Sequence, residues 1–148
     1  MKKETVFYTV ILVAFFLLLY YYVKKRPFQT YKLKYFDLSE FDSADLPGSG
    51  ANMDFNFLQM LDKARENAGI PFVINSGYRT VEQNRKVGGV NDSAHKKGLA
   101  VDIATTPETK YIIYNALKSV GFFRFGIGAN FIHVDNDLTK PYPAVWTY

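Results

Sequence analysis

The chain has 148 residues, of which 48% are hydrophobic and 17% aromatic, and its formal net charge is +4. This composition predicts one compact folded domain and excludes a disordered or collagen-like chain, because apolar residues are plentiful and only 10 residues are glycine. The chain has no cysteine, which excludes disulfide staples, thiolate metal ligands and a cysteine nucleophile.

The positive charge is concentrated near the N-terminus. Residues 1–26 contain five basic side chains and one acidic side chain, whereas the remaining 122 residues contain 13 of each sign. Because most of the chain is neutral overall, the composition does not favour nucleic-acid binding, and we predict no nucleic-acid partner.

An apolar run of nineteen uncharged residues extends from Thr5 to Val23. As a helix it would be about 28 Å long, close to the thickness of the hydrocarbon core of a bilayer. Tyrosines at its end and the basic cluster Lys24-Lys25-Arg26 are typical of a membrane interface. We therefore predict a membrane anchor over residues 1–26 that contacts lipid through residues 5–23. A cleaved signal peptide and a buried core helix are the alternatives.

The remaining elements are predicted in chain order from hydrophobic periodicity and from turn residues. Residues 27–43 are predicted to form a linker, and residues 44–148 the folded domain. The predicted elements are a helix from Met53 to Ala68 that ends at Gly69, a strand over Ile70–Asn75, a short helix over Thr80–Lys86, a strand over Gly98–Ala104, a helix from Thr106 to Gly121, and a hairpin of Phe122–Gly128 with Asn130–Asp135. This order predicts an α+β fold with a small, largely antiparallel sheet and flanking helices, preceded by one N-terminal transmembrane helix.

The two histidines of the chain, His95 and His133, each have an aspartate nearby. Asp102 follows His95 by seven residues, and strand alternation places Asp135 on the same face as His133. Two imidazoles and one carboxylate suit a catalytic zinc that keeps one position open for water. From spacing alone, ordinary surface pairs remain an alternative, both for the histidines and for Arg79.

Three motifs occur in a fixed order: Ser76-Gly77-Tyr78-Arg79-Thr80, then Ser93-x-His95-x-x-Gly98-x-Ala100-x-Asp102, then His133-x-Asp135. Together they resemble the zinc D-alanyl-D-alanine carboxypeptidase and L-alanyl-D-glutamate endopeptidase family, the M15-like peptidases, which share a fold with the hedgehog signalling domain. The resemblance extends from about Phe36 to the C-terminus and includes Ala144-Val145-Trp146.

The resemblance implies a role for each of five residues. It implies that His95, Asp102 and His133 bind zinc. It also implies that Arg79 pairs with a substrate carboxylate during catalysis and that Ser93 hydrogen-bonds the substrate. A guanidinium suits the first of these two tasks because it can hold a carboxylate through two parallel hydrogen bonds.

The general base is the point at which the chain departs from the family pattern. Many members have Glu or Asp three residues before the last histidine, whereas this chain has Asn130, whose amide cannot take a proton from water. Asp135 is the nearest candidate carboxylate, and we predict it to be catalytic. A role in orienting the imidazole of His133 is the alternative.

The predicted function is that of a membrane-anchored zinc peptidase that hydrolyses an amide bond in peptidoglycan stem or cross-link peptides, as an endopeptidase or a D-Ala-D-Ala carboxypeptidase. The alternatives are a catalytically weak or inactive zinc-stabilised module that binds cell-wall peptide, and a small structural membrane protein. The predicted location is a single-pass membrane protein whose catalytic domain faces the cell wall. Because the basic flank after the apolar run favours the opposite orientation, a phage lytic enzyme in a virion membrane is a second possibility.

Overall fold

The computed structural model describes Tyr8, residues 12–18 and residues 32–148. The chain divides into two compact units, Met1–Lys32 and Leu33–Tyr148. In the first unit, residues 12–18 are helical and exposed. The second unit contains every residue for which the sequence predicts a chemical role.

The predicted transmembrane helix requires a correction. Within the part of the chain that the structure describes, no helix combines the length and the apolar character needed to cross a membrane. The predictions of an N-terminal transmembrane helix and of a single-pass membrane location are therefore wrong for the described residues. Residues 5–7, 9–11 and 19–23 of the predicted span lie outside them.

The second unit is built on one five-stranded sheet. Its strands are β1 (Ile74–Ser76), β2 (Ala100–Ala104), β3 (Arg124–Ile127), β4 (Phe131–Asp135) and β5 (Ala144–Thr147). The order across the sheet is β1-β2-β4-β3-β5. Neighbouring strands are antiparallel except for β3 and β5, which are parallel. This agrees with the predicted α+β class and largely antiparallel sheet.

Three α-helices and three short 3-10 helices accompany the sheet. They are α1 (Phe55–Ala68), α2 (Val81–Lys86) and α3 (Pro107–Ser119), with 3-10 helices at Leu38–Phe41, Ser49–Asn52 and Ala94–Lys97. The side chain of Asp54 caps α1 by accepting the N–H of Phe57 at 2.8 Å, and Thr106 caps α3. The two long predicted helices are confirmed, although α1 begins at Phe55, two residues after the predicted start at Met53.

Two strands differ from the predictions. β1 covers Ile74–Ser76, whereas the predicted strand runs from Ile70 to Asn75. Pro71, near the predicted start, has no N–H to contribute to a strand ladder. β5 is not predicted at all, since its four residues become a strand only through parallel pairing with β3. Strand prediction from a short segment therefore fails when the pairing partner supplies most of the stabilisation.

The hydrophobic core lies on one face of the sheet. It joins residues of β2 and β4 to the buried faces of α1 and α3, and Phe57 of α1 contacts Phe122 edge to face at 5.2 Å between ring centroids. Phe36 and Phe41 also belong to this core, so residues upstream of position 44 are packed into the second unit. The opposite face of β2 and β4 carries Asp102, His133 and Asp135.

Candidate metal centre

The register of the sheet places two predicted site residues side by side. β2 and β4 pair antiparallel, with Asp102 opposite His133. Val101 and Ile132, which neighbour them along the strands, are fully buried in the core. Alternation therefore directs Asp102 and His133 to the other face of the sheet.

His95 reaches the same point from the 3-10 helix Ala94–Lys97, and its side chain is only 2% exposed. Gly98 ends this helix with a φ of 69°, in the left-handed region that glycine adopts without steric cost. The next residues enter β2 and carry Asp102 to the sheet. Gly98 thus connects two of the predicted metal ligands through one tight turn.

We expect Gly98→Ala to destabilise the domain strongly. A Cβ at Gly98 would lie 2.2 Å from the carbonyl oxygen of Asn52 and 2.9 Å from Cα of Met53, in addition to the strain of its φ. Gly69→Ala is the matched control, because its φ is 66° and a Cβ there meets nothing within 4 Å. Chemical denaturation should give a loss of about 1–2 kcal/mol for the control and about 1–3 kcal/mol more for Gly98→Ala. Equal losses would contradict the predicted clash.

Three potential ligand atoms converge at this point. Nε2 of His95 lies 3.2 Å from Nδ1 of His133 and 3.3 Å from Oδ1 of Asp102, and Nδ1 of His133 lies 2.8 Å from the same oxygen. Ligand atoms about 2.0–2.1 Å from a tetrahedral ion are about 3.4 Å apart. The donor set suits a small tetrahedral cation with one position left open, and the two distances from Nε2 of His95 match this spacing, whereas the third is a hydrogen-bond distance.

The second nitrogen of each imidazole has an acceptor behind it. Nδ1 of His95 lies 2.7 Å from the carbonyl oxygen of Gly77, and Nε2 of His133 lies 3.2 Å from Oδ2 of Asp135. When these two nitrogens carry the protons, the lone pairs of the other two point at the shared centre. Such outer partners fix the tautomer and the orientation of metal-binding histidines.

Asp135 is itself held by a buried network. Its Oδ1 accepts hydrogen bonds from Nε of Arg124 at 2.7 Å and from the backbone N–H of Asp137 at 3.0 Å. Asp135 is 2% exposed and Arg124 6%. Arg124 also donates to the carbonyl oxygen of Pro141. The carboxylate of Asp135 is therefore positioned against the far side of His133.

The local electrostatics differ among the three potential ligands. Burial lowers the pKa of His95 below its ordinary value, which keeps this imidazole neutral. Burial opposes ionisation of Asp102, but hydrogen bonds from His133 and His95 outweigh it and hold the carboxyl pKa well below its usual range. For His133, hydrogen bonds with Asp102 and Asp135 outweigh burial and raise the pKa. A cation that binds here would therefore have to displace a proton from His133.

Arg79 contacts a predicted ligand directly. Its Nη2 donates to Oδ2 of Asp102 at 2.5 Å, and its Nε donates to Oγ of Ser76 at 2.7 Å. Oδ1 of Asp102 faces the histidines while Oδ2 faces Arg79. The guanidinium is therefore placed to orient the carboxylate of Asp102.

A cavity of about 440 Å³ opens over the three converging residues. Ser93, which is 6% exposed, lines this cavity together with Arg79 and Asp135. Asn130 is not one of the described residues that line this cavity. Its side chain is exposed in the turn before β4. The cavity thus brings together all the predicted site residues: Arg79, Ser93, His95, Asp102, His133 and Asp135.

The cavity also includes residues that the sequence does not predict. Trp146 of β5 packs its ring 5.6 Å from that of His133, and the guanidinium of Arg124 lies 5.4 Å from the Trp146 ring. Tyr148 and Lys140 line the cavity as well. Trp146 is the single tryptophan of the chain, which is a usable signal, but its contact with His133 depends on the unpredicted strand β5.

The fold and the site together define an α+β domain with a His-Asp-His group able to hold a metal. The chain matches the family model described as Peptidase M15 over residues 34–135, more than half of its length. It therefore belongs to the M15 peptidase family, and the family and the three-residue group together support a metallopeptidase. No curated protein is similar enough to the chain to be matched with it.

Proposed function

We propose that the protein is a zinc-dependent peptidase that hydrolyses an amide bond in peptidoglycan stem or cross-link peptides. The observation that carries this proposal is the convergence of His95 Nε2, Asp102 Oδ1 and His133 Nδ1 beneath a cavity of about 440 Å³. Membership of the M15 peptidase family supports the reaction class. The peptidoglycan substrate is part of the proposal and follows the resemblance of the sequence motifs.

Zinc is the proposed metal because the donor set contains two imidazoles and one carboxylate. His95, Asp102 and His133 would hold it, and the fourth position would be left for water or substrate. When bound, zinc supplies Lewis-acid chemistry that activates water and polarises a carbonyl group at neutral pH. The chain has no cysteine, the residue that commonly supplies the fourth ligand of a closed structural zinc site.

Two neighbouring residues are proposed to position the ligands. Oδ2 of Asp135 accepts a hydrogen bond from Nε2 of His133, and Oδ1 accepts from Nε of Arg124 and from the backbone N–H of Asp137. These contacts favour the orienting role over the base role, which stays a prediction. Arg79 is proposed to hold Asp102 with Oδ1 toward the metal position.

A second candidate function is binding of cell-wall peptide without hydrolysis. Among the described residues that line the cavity, the carboxylates are Asp102 and Asp135, and both are engaged by other side chains. Asn130 is exposed outside the cavity. A free carboxylate that could act as base is therefore absent from the described lining, which favours a weak or silent enzyme.

The direct test compares the full chain with and without zinc. Metal-stripped protein and protein reconstituted with one equivalent of zinc would be incubated with purified peptidoglycan, and released fragments identified by mass spectrometry. New N- or C-termini in stem peptides, formed only with zinc, would support the peptidase. Zinc-dependent co-sedimentation with peptidoglycan and no new termini would support the binding module. Protein that retains no zinc after dialysis would contradict both.

Arg79→Lys is expected to weaken zinc binding by about 10- to 100-fold with little change in KM, because lysine keeps the charge but loses the fork that holds Asp102 and Ser76 together. Competition with a calibrated chelator measures the affinity, and steady-state kinetics at saturating zinc measure KM. Unchanged zinc affinity together with a raised KM would instead support the substrate-carboxylate role that the family resemblance implies.

A further inference from the structure

Three cationic side chains other than the histidines line the cavity among the described residues: Arg79, Arg124 and Lys140. They differ in how firmly their charge is already paired. A substrate anion binds most readily to a cation whose existing partner is easily displaced. The identity of that partner therefore indicates which cation is available to substrate.

The two arginines have buried partners. Arg79 pairs with Asp102, whose side chain is 14% exposed, and Arg124 pairs with Asp135, whose side chain is 2% exposed. Removing either guanidinium from its carboxylate would leave a charge buried and uncompensated, which is strongly unfavourable. Both carboxylates are also tied to the histidines of the site. Neither arginine is readily released.

Lys140 has a different kind of partner. Its Nζ lies 3.0 Å from Oδ2 of Asp92, whose side chain is 71% exposed, while the side chain of Lys140 itself is only 17% exposed. An ion pair with so exposed a partner contributes little to stability and exchanges easily, because water solvates the released carboxylate. The backbone N–H of Lys140 donates to the carbonyl oxygen of Asp137 at 3.1 Å, which fixes the residue at the end of a tight turn.

We propose that Lys140 is a substrate-binding residue that takes a carboxylate of the peptide, and that Asp92 holds the ammonium group in place until substrate displaces it. This inference rests on the proposed function and specifies which chemical class the cavity prefers, namely peptides with a free carboxylate near the scissile bond. An ammonium group is a compact point charge with three hydrogen-bond donors, so it can bind a carboxylate in more than one orientation.

The experiment uses the full chain with zinc and three synthetic peptides. The first is L-Ala-γ-D-Glu-L-Lys-D-Ala-D-Ala, the second carries D-isoglutamine in place of D-Glu, and the third has a C-terminal amide. The second peptide lacks the α-carboxylate of D-Glu and the third lacks the C-terminal carboxylate, so the two together show which carboxylate is recognised. Both hydrolysis and binding by calorimetry are measured for the wild type, Lys140→Met, Lys140→Arg and Asp92→Asn. Lys118→Met is the control, because it removes the same charge from an exposed position of α3 that does not line the cavity.

Lys140→Met is expected to raise KM by about 10-fold or more for the acidic peptide, with kcat changed much less, because a charge-assisted hydrogen bond is lost. For the peptide that lacks the carboxylate bound by Lys140, Lys140→Met and the wild type should have the same KM. That peptide therefore identifies the recognised carboxylate. Lys140→Arg should keep the preference, and Asp92→Asn should lower KM for the acidic peptide by removing the competing anion. Lys118→Met should behave as the wild type.

The outcomes separate this inference from the proposed function. Hydrolysis with the same KM and the same acid preference in the wild type and Lys140→Met would overturn the inference and leave the peptidase intact. Binding without hydrolysis would count against the peptidase, and Kd would then replace KM in every comparison. If the wild type neither cuts nor binds the acidic peptide, both are overturned. If Lys140→Met does not fold, Asp92→Asn with unchanged KM or Kd still contradicts the inference.

Discussion

His133→Ala is expected to abolish stoichiometric zinc binding and with it all zinc-dependent hydrolysis. His133 contributes one of three converging ligand atoms, and it is the residue through which Asp135 acts on the site. Loss of an outer hydrogen bond to a ligand costs about 10–100-fold in metal affinity, and loss of the ligand itself should cost more. Elemental analysis after dialysis and a zinc competition assay measure the effect.

The matched control for His133→Ala is chelator-treated wild-type protein. It lacks metal but keeps every side chain, so its thermal unfolding gives the stability of the metal-free fold. The variant should unfold at a lower temperature than this control, because it loses the buried hydrogen bonds of His133 to Asp102 and Asp135. Zinc should raise the midpoint of the wild type alone, because a ligand stabilises the state that binds it. One full equivalent of zinc retained by folded His133→Ala would remove this residue from the site.

The sequence predicts the three converging residues because their signals are local. Alternation in β4 separates Ile132 and Val134, which enter the core, from His133 and Asp135, which do not. The motif that contains His95 and Asp102 needs only one tight turn to bring both residues to the same side. Periodicity reports which face a residue occupies, whereas the choice of His95, Asp102 and His133 as a ligand set comes from the resemblance of the motifs.

The remaining parts of the site depend on contacts that the sequence does not encode locally. The carbonyl group of Gly77 that supports His95 could be offered by any residue, so no side-chain pattern reveals it. The pairing of Lys140 with Asp92 joins two loops 48 positions apart in the sequence. The contact between Trp146 and His133 requires β5 to pair with β3. Each follows from tertiary packing, which overrides local propensity.

The role of Asp135 gives the sharpest test of how the site is supported. Asp135→Asn keeps the size of the side chain but removes the charge that faces Nε2 of His133 and Nε of Arg124. If Asp135 orients His133, zinc affinity should fall by about 10–100-fold, and excess zinc should restore much of the rate. The free energy of unfolding should also fall by about 3–5 kcal/mol, because Arg124 loses its buried partner.

Asp137→Asn is the matched control for this variant. Asp137 is equally buried, at 1% exposed, and lies two residues further along, but its side chain contacts Lys97 and Thr139 instead of a histidine. It should lose stability without a change in zinc affinity. If Asp135 were the general base instead, Asp135→Asn would keep its zinc, and its rate would stay reduced by about 10²-fold or more at any zinc concentration. If added zinc restores the rate of Asp135→Asn, and Asp137→Asn needs no added zinc, Asp135 supports His133. The proton transfer would then belong to another group in the cavity.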